Sequence, residues 1–280
     1  MAKLRIGIQG VKAAFHEVAA RKYFVGAELE FVECATFQRL CQALQNKETD
    51  FNIMAIENSI AGSILPNYLL LERFKLKVIG EVYLRIEMNL MALPNQQISD
   101  LHTVISHPMA LLQCQDFLNQ YPHIKIQEAN DTAESAKEIK EKQLLGTGAI
   151  ASRLAAEVYG LNLLAQNIES DKSNYTRFLA VSRDELFKEN QKPDKSSLRF
   201  EVSHRPGSLL SILSSFVSHG INMSKLQSVP IIGRPQEYSF HVDLEFADVE
   251  EYKHAIEELK LKTVNLIEFG LYKKDSWGAV

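Results

Sequence analysis

Along most of this chain the apolar residues keep changing period. Short continuous runs give way to i, i+3, i+4 spacing and then return, and that alternation is what constrains the fold most. Residues 4–8 read as a buried strand, followed by a small-residue turn and a helix over about 15–24. Residues 29–32 form a second strand. Thr36 then caps a helix whose apolar positions Phe37, Leu40, Cys41 and Leu44 share one face. Residues 51–56 make a third strand, ending at a Glu-Asn-Ser cluster. Strands alternating with helices call for a mostly parallel sheet with helices on its faces.

A long apolar stretch, 78–93, crosses into a second lobe where the pattern repeats: strand 103–105, helix 108–119 and strand 124–129. Asp131 and Glu134 form a capping box for the next helix. Strand 148–151, a helix closing at Gly160 and strand 161–165 complete the lobe. Two such lobes hold a ligand in the crevice at their strand C-terminal ends. The polar run 187–196 has no apolar period and reads as a linker. Beyond it the order is βαββαβ: strand 198–202, helix 206–217, strands 221–231 and 238–246, helix 249–259 and strand 264–271. That order is ferredoxin-like.

At 280 residues and 46% hydrophobic, the chain can bury a substantial core. Its 31 basic and 35 acidic residues nearly balance at −4, with no dense basic stripe, so nucleic acid is not an expected partner. No segment reads as a secretory signal or a membrane span, and the expected location is the cytoplasm. Cys34, Cys41 and Cys114 lack paired spacing and read as reduced, buried thiols. The eight histidines show no paired spacing that would suggest zinc.

Three polar clusters carry the chemistry. Asn58 and Ser59, within Ile56-Glu57-Asn58-Ser59-Ile60-Ala61-Gly62, sit at a strand end and suit either a polar ligand or a turn. Ser106, before His107 and Pro108, lies at a helix start, where it can cap or face an anion; Thr132 has the same double reading. Gln113 lies further into the helix that follows Ser106. In Asn174-Tyr175-Thr176-Arg177-Phe178 a hydroxyl stands beside a guanidinium. Thr176 can donate a hydrogen bond to a leaving oxygen, an effect worth roughly 2–4 kcal/mol in a dry cleft. Arg177 can clamp a carboxylate or form a structural ion pair. The alternative for both is a polar strand end with Phe178 packed inward. His16, isolated after a turn, reads as a surface or capping residue.

The three clusters, in this order, resemble the signature segments of prephenate dehydratase, and the resemblance runs over about residues 4–183. Residues 197–273 are similar to the ACT regulatory domain, with Pro206-Gly207-Ser208-Leu209 matching its turn before the first helix. The resemblance implies a two-lobed, periplasmic-binding-protein-like catalytic region at 1–185. One lobe would take about 1–77 plus 166–185 and the other 78–165, followed by a linker at 186–196 and an ACT domain at 197–280. It implies decarboxylating dehydration of prephenate to phenylpyruvate in phenylalanine biosynthesis, without cofactor. Thr176 would act on the leaving hydroxyl, while Asn58, Ser59, Ser106, Gln113, Thr132, Arg177 and Phe178 hold substrate.

The resemblance also implies a homodimer or homotetramer and L-phenylalanine as effector, bound through Gly207, Ser208, Leu209, Asn222, Leu226, Gln227 and Ser228. Two departures stand out. Ala13 and Ala14 occupy positions where the family has glycine and a hydroxyl residue, and a φ > 0 turn at Ala13 would be strained. Gln227-Ser228-Val229-Pro230 replaces a Glu-Ser-Arg-Pro segment. Arogenate dehydratase, acting on the transaminated substrate, and a non-catalytic amino-acid sensor are the competing expectations.

Overall fold

A computed structural model describes residues 3–184, 192–231, 233–235 and 237–276. Strand β1 (Leu4–Gln9) leads through a tight turn to α1 (Phe15–Tyr23), β2 (Leu29–Cys34), α2 (Phe37–Gln45) and β3 (Phe51–Asn58). The short strand β4 (Gly62–Ser63) and helix α3 (Leu65–Arg73) precede β5 (Lys77–Arg85) and β6 (Asn89–Ala92). Next come β7 (Thr103–Ser106), α4 (Pro108–Gln113), α5 (Gln115–Leu118), β8 (Lys125–Glu128) and α6 (Thr132–Lys142). They are followed by β9 (Thr147–Ala151), α7 (Arg153–Tyr159), β10 (Asn162–Ala165) and β11 (Tyr175–Ser182). The C-terminal order is β12 (Lys195–Glu201), α8 (Ser208–Ser218), β13 (Asn222–Pro230), β14 (Tyr238–Glu245), α9 (Val249–Lys262) and β15 (Asn265–Tyr272).

Two mixed sheets carry the first eleven strands. One has the order β2-β1-β3-β11-β5 with β4 beside β3; the other runs β10-β6-β9-β7-β8. Within them β1 pairs parallel with β2 and β3, and β7 pairs parallel with β8 and β9. The helices start where the sequence provides for it. Thr36 accepts a hydrogen bond from the Arg39 N–H at 3.1 Å, and Leu40, Cys41 and Leu44 of α2 are buried as their spacing requires. The helix expected over 108–119 is interrupted at Cys114, whose φ of −107° and ψ of 14° leave the helical region. Gln113 thus becomes the last residue of α4, with its carbonyl receiving the Ser170 N–H at 2.8 Å.

The chain forms two compact units, Met1–Ile64 with Tyr83–Phe178 and Leu65–Val82 with Leu179–Val280, so the division falls inside β5 and β11. The second unit is built on an antiparallel sheet of order β13-β14-β12-β15. With its helices this is the expected βαββαβ unit. One sheet face packs Leu198, Phe200, Val242 and Leu244 against Ile212, Phe216, Tyr252 and Leu259. The other face is polar yet buried: Lys195, Ser197, Arg199 and Glu201 of β12, with Ser239, His241 and Asp243 of β14.

Segment 65–82 lies against that polar face. Tyr68 meets the His241 ring edge-on at 4.8 Å, Glu72 pairs with Arg199 at 3.2 Å and Glu81 with Lys195 at 3.0 Å. Gly270 is obligatory here, because a Cβ would fall 2.0 Å from the Val78 carbonyl oxygen. Compactness therefore groups 65–82 with the C-terminal unit, whereas the sequence assigns 65–77 to the first lobe and 78–82 to the second. Most of the linker expected over 186–196 lies outside the described residues.

Candidate active site

The first unit holds all three polar clusters. Asn58, at the end of β3, is fixed by its own backbone: its Oδ1 accepts from the N–H groups of Ile60 at 3.0 Å and Ala61 at 2.9 Å. That Asx turn leaves the Nδ2 amide to face β11. It donates to Asn174 Oδ1 at 2.7 Å, the Tyr175 carbonyl at 3.2 Å and Thr176 Oγ1 at 3.0 Å. Asn174, fully buried, in turn donates from Nδ2 to Gln113 Oε1 at 2.9 Å. A chain of side chains, Gln113–Asn174–Asn58–Thr176, thus joins the end of α4 to the ends of β3 and β11.

The chain's polarity matters. Thr176 Oγ1 accepts a hydrogen bond from Asn58, so its own O–H is left to donate, and no described residue accepts it. Gln113 uses its carbonyl oxygen as acceptor, which leaves its NH2 group outward. The site therefore offers a hydroxyl and an amide as donors, each set by partners behind it.

The other expected residues fall into two groups. Ser59 is exposed, but its hydroxyl is committed. It donates to the Ser173 carbonyl at 2.8 Å and accepts the Tyr175 N–H at 2.9 Å, clamping the segment that enters β11. Ser106 is completely buried, with Oγ donating to the Ile150 carbonyl at 2.6 Å. The cap of α4 is His107, whose Nδ1 accepts the Met109 N–H at 3.2 Å. Thr132 is the first residue of α6, and the cap is Asp131. Arg177 is buried with its guanidinium over Tyr83, 5.9 Å from the ring centre, on the strand face opposite Thr176. Phe178 is buried and meets His16 edge-on at 5.1 Å. His16 is thus a core residue rather than a surface or capping one, and burial pushes its pKa down to about 3.

The loop between β1 and α1 is tied to the second sheet and its helices. Ala13 adopts φ +67°, the left-handed conformation expected to strain it, and is fully buried. Its N–H donates to Glu17 Oε2 at 2.7 Å and its carbonyl accepts from Ser152 Oγ at 2.8 Å, so both peptide groups are held. Ala14 caps α1 without a side-chain hydrogen bond. Both alanines pack against Ala133, Ala136, Ala151 and Ala155 of the second sheet and its helices. Sequence reasoning singled out neither Asn174, the hub of the network, nor Glu17. Asn174 was legible as a third polar residue beside Thr176; Glu17 carried no local signal.

Comparisons with known proteins give the family. The family model described as prephenate dehydratase matches residues 6–186. Arogenate dehydratase 2 of Petunia hybrida is 37% identical over 98% of this chain and 73% of its own length. Among solved structures, a prephenate dehydratase from Arthrobacter aurescens in complex with L-Phe superimposes with a TM-score of 0.86. It is 26% identical, over 96% of this chain and 90% of that one. GqqA, described as a novel type of quorum-quenching acylase, superimposes with a TM-score of 0.87 at 28% identity, covering 97% and 98% of the two chains. With the donor network on β3 and β11 inside the matched span, the chain belongs to the prephenate dehydratase family.

Proposed function

We propose that this protein eliminates water and carbon dioxide from prephenate to give phenylpyruvate, or from arogenate to give phenylalanine. The observation that carries this reading is the Thr176 hydroxyl, pinned as an acceptor by Asn58 and free as a donor. As the ring carboxylate leaves as carbon dioxide, its bonding electrons aromatise the ring and expel the ring hydroxyl as hydroxide, which takes a proton from solvent to become water. Thr176 O–H stabilises the oxygen as negative charge develops on it. Gln113 and Thr132 bind the substrate's polar groups. Asn58, Ser59, Ser106, Arg177 and Phe178 fix the frame around it. Acyl transfer, the chemistry in GqqA's description, finds less support: among the described residues no base is hydrogen-bonded to Thr176 Oγ1 to activate it as a nucleophile.

In this reading residues 1–185 are catalytic, and 197–280 form an ACT domain that binds L-phenylalanine in a cytoplasmic homodimer or homotetramer. A cavity of about 350 Å³ beside α8 supports the effector part. Ser208 and Leu209 line it with Tyr238 and Phe240, and Arg205 and Glu237 supply both charges an amino acid needs. Gly207 caps α8 at φ +84°, and Ser228 on β13 pairs with Phe240. Asn222, Leu226 and Gln227 lie along the same strand. Among the described residues no helix is long and apolar enough to cross a membrane.

The test is phenylpyruvate formation from prephenate, with phenylalanine formation from arogenate in parallel and L-phenylalanine then added to the prephenate assay. Turnover of either substrate supports the enzyme reading, and inertness toward both contradicts it. Calorimetric silence with L-phenylalanine, together with full activity at saturating effector, removes the regulatory part.

A further inference from the structure

Asp131 carries a carboxylate that the proposed chemistry does not use, although it immediately precedes Thr132, which that chemistry assigns to the substrate. It follows β8 and caps α6 with a single oxygen: Oδ1 accepts the N–H groups of Ala133 at 2.8 Å and Glu134 at 3.0 Å. Oδ2 accepts no hydrogen bond from any described residue. It faces the loop after β1, where Gly10 adopts φ +92°; a Cβ there would lie 2.9 Å from Oδ2. The loop leaves room for the carboxylate only because residue 10 is glycine.

The surroundings supply no counter-charge. Burial raises the Asp131 pKa, the Glu134 and Ala133 N–H groups offset part of this, and the charged neighbour that adds to them is His107, whose Nδ1 is committed to its own helix cap. Ala133 gives the carboxylate its backbone N–H, and the Ala14 methyl group packs at the same position of the loop as Oδ2; neither can donate from a side chain. A half-used, partly buried carboxylate beside a substrate-binding residue is a site for a cation. Prephenate and arogenate differ at one place: a keto oxygen in the first is an ammonium in the second. A carboxylate oxygen repels the keto oxygen and forms a charge-assisted hydrogen bond with the ammonium.

Building on the dehydratase reading above, we propose that Asp131 Oδ2 binds the substrate's α-ammonium group and makes this chain selective for arogenate. Asp131 is a specificity residue remote from the departing hydroxyl, so its contribution falls in KM and leaves kcat nearly unchanged.

Asp131→Asn is the informative variant, because asparagine keeps the helix cap while removing the charge. The wild type and the variant are assayed with both substrates. The expected result is a wild type that favours arogenate, and a variant whose kcat/KM for arogenate falls about 10- to 100-fold. The loss is carried by KM, while kcat/KM for prephenate changes less than about threefold. Asp131→Ser, which also caps, gives the same split and guards against a folding defect peculiar to asparagine. Equal losses on both substrates, a loss carried by kcat, or a wild type that favours prephenate overturns the assignment. Inertness of the wild type toward both substrates is a different failure: it removes the dehydratase reading itself.

Discussion

At the scale of single residues, the account rests on amide groups whose orientation is set from behind. Asn58 has its oxygen turned toward two backbone N–H groups and its nitrogen toward three acceptors. Asn58→Asp keeps the size and the turn but removes the donor, setting a carboxylate against Asn174 Oδ1 and a carbonyl. The expected cost is about 2–3 kcal/mol in stability and about 100-fold in kcat, read by urea unfolding and steady-state assay. A variant with wild-type values on both would mean that the network positions nothing. How much was legible in the sequence differs from residue to residue. Asn58 and Thr176 stood out because polar residues ended apolar strands. The cap of α4 was misread, since Ser106 turns inward to the Ile150 carbonyl and His107 takes the cap. That choice depends on a neighbouring strand 44 residues away, which local propensity cannot see.

At the scale of elements, periodicity gave the strands and helices, and caps gave many of their ends. Helix α3 escaped because its buried residues are Asn67, Tyr68 and Leu71, a set without a clear apolar stripe. It is buried against polar residues: alternate positions of β12 and β14 carry polar side chains that segment 65–82 covers. A buried ion pair is costly to leave half made. Glu81→Ala, which removes the nearer of two carboxylates from the buried Lys195 ammonium and leaves Glu245 at 3.6 Å, is expected to destabilise the protein by about 1–3 kcal/mol. Glu81→Leu combined with Lys195→Met should recover most of that loss. If Glu81→Ala alone is silent in thermal unfolding, the pair does not hold the segment. At α1 the uncapped start offers the opposite sign: Ala14→Ser supplies the missing acceptor and should add about 1 kcal/mol, measured by the same unfolding curves.

At the scale of the molecule, two buried imidazoles set a response to acid. Burial holds His16 down to about 3 and His241 down to about 4, against an ordinary 6.5. Above 6.5 both are neutral in folded and unfolded chains alike. As pH falls from 6.5 toward those lower values the unfolded chain takes up protons that the folded protein refuses, and stability declines. The melting temperature should therefore fall between pH 7 and pH 4.5, and the drop should shrink in the double variant His16→Phe/His241→Phe. Phenylalanine suits both positions, where aromatic neighbours already surround the ring. An unchanged slope would assign the acid response to other groups.

The central claim is that the Thr176 hydroxyl proton is what the site contributes to breaking the carbon–oxygen bond. The direct measurement compares kcat of wild type, Thr176→Ser and Thr176→Ala on whichever substrate turns over, with folding checked by circular dichroism. Serine should hold kcat within about tenfold and alanine lower it by about 100- to 1,000-fold. An alanine variant that folds and turns over at the wild-type rate would contradict the claim.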